Sequence, residues 1–160
     1  MKNVFIILFL SLTSVTIAQT RYIRGQNSMP VKGDYFQGYI FDKYYELIPN
    51  EDFDFKFTAS KEDIAKAEQI VFDSLILTNK LSKYPPRNYI NQNFTQYQRQ
   101  YQGLINQQGD SIIYINYLLQ SEYDLSLQII EVLDGGTNYW HVYVNLSKGI
   151  IEQYDVNGEG

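Results

Sequence analysis

The stretch LDGGTNYWHVYVNL, from Leu133 to Leu146, decides how this chain folds, because two kinds of side chain alternate along its second half. Successive residues of a β-strand point to opposite faces of a sheet. One set is apolar and the other is largely amphipathic or polar: Trp140, Val142, Val144 and Leu146, against Tyr139, His141, Tyr143 and Asn145. The alternation predicts a strand with its apolar set in the core and its second set facing outward.

Two glycines, Gly135 and Gly136, follow Asp134 and precede this strand. Glycine supplies the positive φ angles of tight turns, and an Asp side chain can bond the backbone of the turn. A phosphate-binding loop would place its glycines before the N-terminus of a helix. The sequence therefore predicts a hairpin turn here, with residues 125–133 (LSLQIIEVL) as the first strand of the hairpin.

Two further hairpins flank this one in the sequence. The turns are predicted at Gln107–Asp110 and at Ser147–Gly149. Strands joined by such short connections are normally neighbours in one sheet. The second half of the chain is thus expected to form an antiparallel meander of four to five strands. Upstream, EDFDFKF predicts a short strand with Phe53, Phe55 and Phe57 on one face.

The segment SKEDIAKAEQIVFDSLILTNK, from Ser60 to Lys80, is the best helix candidate. Ser60 and Asp63 have the spacing of a capping box. Apolar residues then recur every three or four positions, which is the pattern of a helix with one buried face: Ile64, Ala67, Val71 and Leu75. One long helix packed on a meander predicts an α+β fold, and the arrangement resembles the cystatin-like, or nuclear-transport-factor-like, architecture.

The first residues predict export. Lys2 is followed by the apolar run VFIILFL, and small residues stand at Thr16 and Ala18, as in a cleaved signal peptide of residues 1–18. The apolar run is too short to span a membrane. We expect a flexible arm at 19–33 or a loose first strand there, and a single domain at 34–160, in the periplasm or outside the cell.

Composition excludes several function classes. The formal net charge of −5 disfavours nucleic-acid binding, which needs clustered Lys and Arg. The chain has one His and no Cys, so the sequence predicts no metal site and no thiol nucleophile. The sequence shows no nucleophile motif and no cofactor motif, so we expect no cofactor and interpret the protein as a non-enzyme.

The candidate binding residues come from two strands. Tyr139, His141 and Tyr143 form the outward set of the first, and Tyr97, Arg99 and Tyr101 lie on one side of YQRQYQGL. The sequence leaves open which side of the second strand faces outward. If the two sets share a face, they make an aromatic surface with one cation, suited to a peptide or a glycan.

Several phrases resemble uncharacterised exported proteins of Bacteroidetes-type bacteria: FTASKEDIAKAEQ, RQYQGLINQQGDSIIYIN, LDGGTNYWHVYVNLSKG and the terminal VNGEG. The resemblance implies export and the α+β fold, and it implies no activity.

The sequence thus predicts an exported binding module that recognises a protein, peptide or glycan through a Tyr-rich sheet face or hairpin tips. One alternative is a cone-shaped-fold enzyme or small-ligand carrier with a pocket between helix and sheet. Another is an immunity protein or a protease inhibitor, because cystatin-like folds inhibit proteases with their hairpin loops.

Overall fold

The computed structural model describes residues 27–45, 53–86, 88–119 and 121–158. The predicted signal peptide, residues 1–18, lies outside the described residues, as do residues 19–26 of the predicted arm. The described part has the predicted α+β class: α-helices combine with one sheet. No helix in these segments has the length and apolar character that a membrane crossing requires.

Over the described residues, the sheet has seven strands: β1 (Ser28–Lys32), β2 (Gln37–Phe41), β3 (Phe53–Phe57), β4 (Gln98–Asn106), β5 (Ser111–Leu118), β6 (Tyr139–Asn145) and β7 (Ile150–Val156). The α-helices are α1 (Lys61–Val71), which continues as a π-helical turn (Phe72–Ile76), and α2 (Tyr89–Asn93). Short 3₁₀ turns occupy Lys80–Lys83, Phe94–Gln96 and Gly136–Asn138.

The strand order is β1-β2-β4-β5-β6-β7, and β3 also pairs with β4. The pairing of β2 with β4 is parallel and the others are antiparallel, so the sheet is mixed and larger than the expected four to five antiparallel strands. The difference arises because the chain before α1 adds strands beside β4. The long connection through α1 permits the parallel pair. The end of the predicted arm forms β1.

Two of the three predicted hairpins are confirmed. β4 pairs with β5, and β6 pairs with β7. The hairpin predicted at Asp134–Gly136 is wrong, because residues 125–133 form no strand and β5 pairs directly with β6. The buried residues of this segment are Leu125, Ile129 and Ile130, which lack the two-residue period of a strand.

The expectation for β3 is also corrected. The register shifts between Phe53 and Phe55, as at a β-bulge. An extra residue changes the face to which the following side chains point. Phe53 therefore packs on the sheet face away from α1, Phe57 packs on the face toward α1, and Phe55 is 71% exposed.

The predicted helix is confirmed with its cap. The Asp63 backbone N–H donates to Ser60 Oγ at 3.1 Å, and the Ser60 N–H donates to the Asp63 carboxylate at 2.9 Å. The predicted apolar stripe of α1 is buried against one face of the sheet, which we call the inner face. The apolar residues of β6 lie on the same face and pack in the same core. At the centre of this core, the Trp140 indole stacks on Tyr117 with ring centroids 3.7 Å apart.

A charged pair that the pattern did not predict lies in the same core. Glu68 of α1 and Arg99 of β4 are fully buried, with Arg99 Nε 3.4 Å from Glu68 Oε1. Tyr101 Oη donates to the same oxygen at 2.9 Å, and the Arg99 guanidinium donates to the carbonyl of Phe94 at 2.8 Å. Burial raises the pKa of Glu68, and the Arg99 charge opposes this effect.

The opposite, outer face of the sheet is partly covered by residues 125–134, which we call the roof segment. Its backbone bonds to side chains of the sheet. The Gln100 amide donates to the carbonyls of Leu125 (2.9 Å) and Gln128 (2.7 Å), and its oxygen accepts from the Ile130 N–H at 2.8 Å. The Asn116 amide donates to the Ile130 carbonyl at 2.7 Å. These hydrogen bonds satisfy backbone groups of the roof segment that a neighbouring strand would otherwise pair with.

We expect Gln100→Ala to lower the free energy of unfolding by about 2–4 kcal/mol, because it leaves several buried backbone groups of the roof segment without partners. Urea unfolding measures the loss, and hydrogen exchange at the Ile130 amide should accelerate. Gln98→Ala, at an exposed position of the same strand, is the control. Equal stability of the two variants would contradict the assignment.

Trp140→Ala should lower the free energy of unfolding by about 3–5 kcal/mol, as expected when a large side chain is removed from a packed core. Urea unfolding followed by Tyr fluorescence measures it. Tyr123→Ala serves as the control, because Tyr123 is 66% exposed. An unchanged unfolding midpoint for Trp140→Ala would show that the assignment of faces is wrong.

Candidate functional site

A groove of about 480 Å³ opens on the outer face, where the roof segment ends and β6 and β7 are left uncovered. Its floor includes Tyr114 of β5 with His141 and Tyr143 of β6. Glu131 and Leu133 of the roof segment line one side, and residues of β7 and the chain after it line the other.

Strand register explains why these side chains meet. His141 pairs with Asn116 on one side and with Asp155 on the other. Tyr143 pairs in the same way with Tyr114 and Gln153. Directly paired residues point to the same face of a sheet. Asn116, His141 and Asp155 therefore form a row across three strands. The roof segment covers the Asn116 end of this row, and the Asp155 end is exposed in the groove.

The floor is a group of closely packed rings. The Tyr114 centroid lies 5.7 Å from that of His141 and 5.1 Å from that of Tyr143. His141 and Tyr143 meet edge to face at 5.9 Å. Behind them, Phe53 stacks on Tyr143 at 5.4 Å with nearly parallel rings. Such contacts restrain the rings, so the floor is preformed.

The roof side of the groove is tied to the chain that follows β7. Asp134 forms a parallel bridge with Gly158, and the Gly136 N–H donates to the Gly158 carbonyl at 2.9 Å. The Asn157 side-chain amide donates to the carbonyl of Val132. Gly135 has a φ of 104°, and a Cβ there would lie 2.6 Å from the Tyr139 ring. The glycine pair predicted to make a turn therefore shapes this wall and the entry into β6.

The groove has neutral rings below and carboxylates at its rim. Burial lowers the pKa of His141, while the negative charges of Asp155 and Glu131 oppose this effect. Burial raises the pKa of Tyr114 far above its usual value. At neutral pH the floor is therefore uncharged, and negative charge comes from the two exposed carboxylates.

The structure separates the two sets of predicted binding residues. Tyr139, His141 and Tyr143 line the groove and are half-buried on the outer face.

The second set, Tyr97, Arg99 and Tyr101, is fully buried and lies on the inner side toward α1. The one shared aromatic surface considered from sequence does not form, because Arg99 pairs with the buried Glu68 and the two tyrosines pack in the main core.

Sequence reasoning missed Tyr114, Glu131 and Asp155 as neighbours of His141. The alternation in SIIYINYL could have shown that Tyr114 lies on the sheet face opposite to that of Ile113 and Ile115. The two acids could not be found this way, because the pattern of residues 125–133 predicts a strand and the β6–β7 register contains an irregularity between Tyr143 and Val144.

A smaller cavity of about 220 Å³ lies beside the groove. Tyr143 lines both cavities, and Phe53 and Glu152 line the smaller one. Within the segments that the structure describes, no three His, Asp or Glu side chains are grouped as a metal site would require.

Comparisons with known proteins add no identification: no family model, no curated protein and no solved structure matches this chain.

We expect a pKa below the usual 6.5 for His141, and a further decrease in Glu131→Gln and Asp155→Asn, since each change removes a negative charge that favours the imidazolium. The chain has one His, so a single NMR titration of its imidazole measures the effect. Glu122→Gln should leave the pKa unchanged. A pKa that stays constant in both groove variants would contradict the geometry.

Proposed function

We propose that this protein is an exported binding module that holds its ligand, a protein segment, peptide or glycan, in the outer-face groove. The observation that carries the proposal is the placement of Tyr139, His141 and Tyr143. The alternation along this strand predicts these residues as an outward binding face, and all three line one groove.

The shape and lining of the groove support recognition. Sites for small ligands are concave and combine apolar and aromatic surface with a few polar groups. Here restrained rings form the floor, and Glu131, Asp155 and Asn157 supply polar groups. Tyrosine suits such a surface because it offers a large amphipathic contact area and loses little conformational entropy on binding.

Export to the periplasm or the medium is part of the proposal and rests on the signal-like residues 1–18. We also propose a cystatin-like relationship, which two features support: α1 packs against one sheet face, and β4 to β7 are adjacent in chain order. The parallel strand β2 beside β4 is additional to that arrangement.

A second candidate, recognition through the hairpin tips, is favoured by the contact between the β4–β5 and β6–β7 turns. Lys148 Nζ lies 2.6 Å from the Asp110 carboxylate, and the Ser111 N–H donates to Ser147 Oγ at 3.0 Å. Two adjacent tips are the surface that an inhibitor or immunity protein would use. A pocket enzyme has less support, since the charged pair between helix and sheet is closed to solvent.

We expect at least one soluble probe to bind the groove. Tripeptides and disaccharides of different chemistry are titrated against the isotope-labelled protein, and binding is mapped by NMR. A ligand of the groove should saturably shift the His141 imidazole signal and the backbone amide signals of Tyr114 and Asp155, and these amide signals report binding in the variant that lacks His141. Replacing Tyr139, His141 and Tyr143 together with Ser should abolish its binding while cooperative unfolding is kept, because these side chains lie outside the main core.

Tyr123→Ser is the matched control and should bind as the wild type does. Shifts confined to the amides of Gly109 and Gly149 would favour the hairpin tips instead. Binding that survives the triple replacement, or a panel in which no probe affects His141, would refute the groove proposal.

A further inference from the structure

The groove is negatively charged in the part of its lining that the structure describes. Among the described lining residues, two are acidic, Glu131 and Asp155, and none is Lys or Arg. Neither carboxylate forms a salt bridge with a residue that the structure describes. They reach the groove from different elements, the roof segment and β7, and both act electrostatically on His141. An anionic ligand would be repelled here, whereas a cation would be attracted.

The floor favours a cation as well. The faces of aromatic rings attract Lys and Arg side chains when the charge lies within about 6 Å of the ring centroid. The ring centroids of Tyr114 and Tyr143 are 5.1 Å apart, but Tyr114 is buried at 8% exposure whereas Tyr143 is half-buried, so a charged group in the groove would contact the Tyr143 ring. The depressed pKa of His141 keeps the third ring neutral at pH 7, and it does not compete for the carboxylates.

The roof side adds an apolar surface beside the charges. Leu133 lines the groove and is 91% exposed, and Ile130 and Val132 line it next to Leu133. Lys and Arg carry their charge on an apolar stem that packs against such surfaces. An apolar wall next to a rim of carboxylates therefore fits a long side chain with a charged end better than it fits a compact cation.

We propose that the ligand is a peptide segment and that the groove takes one of its Arg or Lys side chains, with the stem against Leu133 and the charge between Glu131 and Asp155, over the Tyr143 ring. This inference rests on the proposed function and narrows it. A neutral sugar could also stack on the rings, but it would leave the two carboxylate charges without a counterpart.

The test uses acetylated and amidated pentapeptides Gly-Gly-X-Gly-Gly, in which X is Arg, Lys, citrulline or Gln, together with a panel of neutral disaccharides. Binding to the full chain is followed by the NMR signal of the His141 imidazole at constant ionic strength. The Arg and Lys peptides should shift this signal saturably. Citrulline has nearly the shape of Arg without its charge, and it should bind about tenfold more weakly or worse.

The charge requirement is tested with two double variants of equal net charge. Glu131→Gln with Asp155→Asn should weaken binding of the Arg peptide about tenfold. Glu62→Gln with Glu122→Gln changes two exposed acids outside the groove and should bind as the wild type does. Circular dichroism and thermal unfolding confirm that both variants remain folded.

The outcomes separate this inference from the proposed function. Equal binding of Arg and citrulline peptides, or an equal effect of the two double variants, overturns the cation inference. A disaccharide that shifts His141 while the Arg peptide does not overturns it too, and leaves the groove as a binding site. If neither peptides nor disaccharides affect His141, both proposals fail.

Discussion

The side-chain amide of Gln100 determines the shape of the outer sheet face. It is buried and bonds to the backbone of residues 125, 128 and 130, as well as to Asn116. A roof segment without strand partners can be buried only if its polar groups are satisfied. Because these bonds fix where the roof lies over β4 and β5, they also fix where it ends, and the groove begins there.

Strand β4, which carries Gln100, also has a buried polar side chain on its inner face. β4 is buried on both sides, so its polar residues need internal partners whichever way they point. Arg99, on the inner side, meets Glu68 of α1, while Gln100, on the outer side, meets the roof segment. Removing one member of a buried charge pair leaves the other uncompensated, so Arg99 and Glu68 can be buried only together. Neighbouring residues of one strand thus position the helix and the roof.

Local patterns in the sequence were sufficient for much of this architecture. The helix cap at Ser60, the buried stripe of α1 and the alternation from Tyr139 to Val144 each depend on neighbours a few positions apart, and each is confirmed. Asn145, predicted to face outward, is buried instead, because its side-chain amide donates to Asp110 and Glu152. The roof segment could not be predicted in this way. Its apolar residues resemble a strand, and its actual partners, Gln100 and Asn116, are distant in sequence. The alternation of residues 35–47 predicts a strand where β2 lies, but the pairing of β2 could not be predicted, since its parallel partner β4 lies beyond the helix.

Part of the candidate site could be predicted from the same local patterns. Alternation placed Tyr139, His141 and Tyr143 on one face, but the face of Tyr97, Arg99 and Tyr101 depended on a long-range charge pair that no local pattern encodes.

The roof segment covers only part of the outer sheet face, and this partial cover affects how the groove attracts a cation. A fully open face would leave the rings in water, where a carboxylate attracts a cation weakly. The partial roof withdraws the rings from solvent and keeps the carboxylates at the rim accessible, and this combination gives the groove its chemical preference.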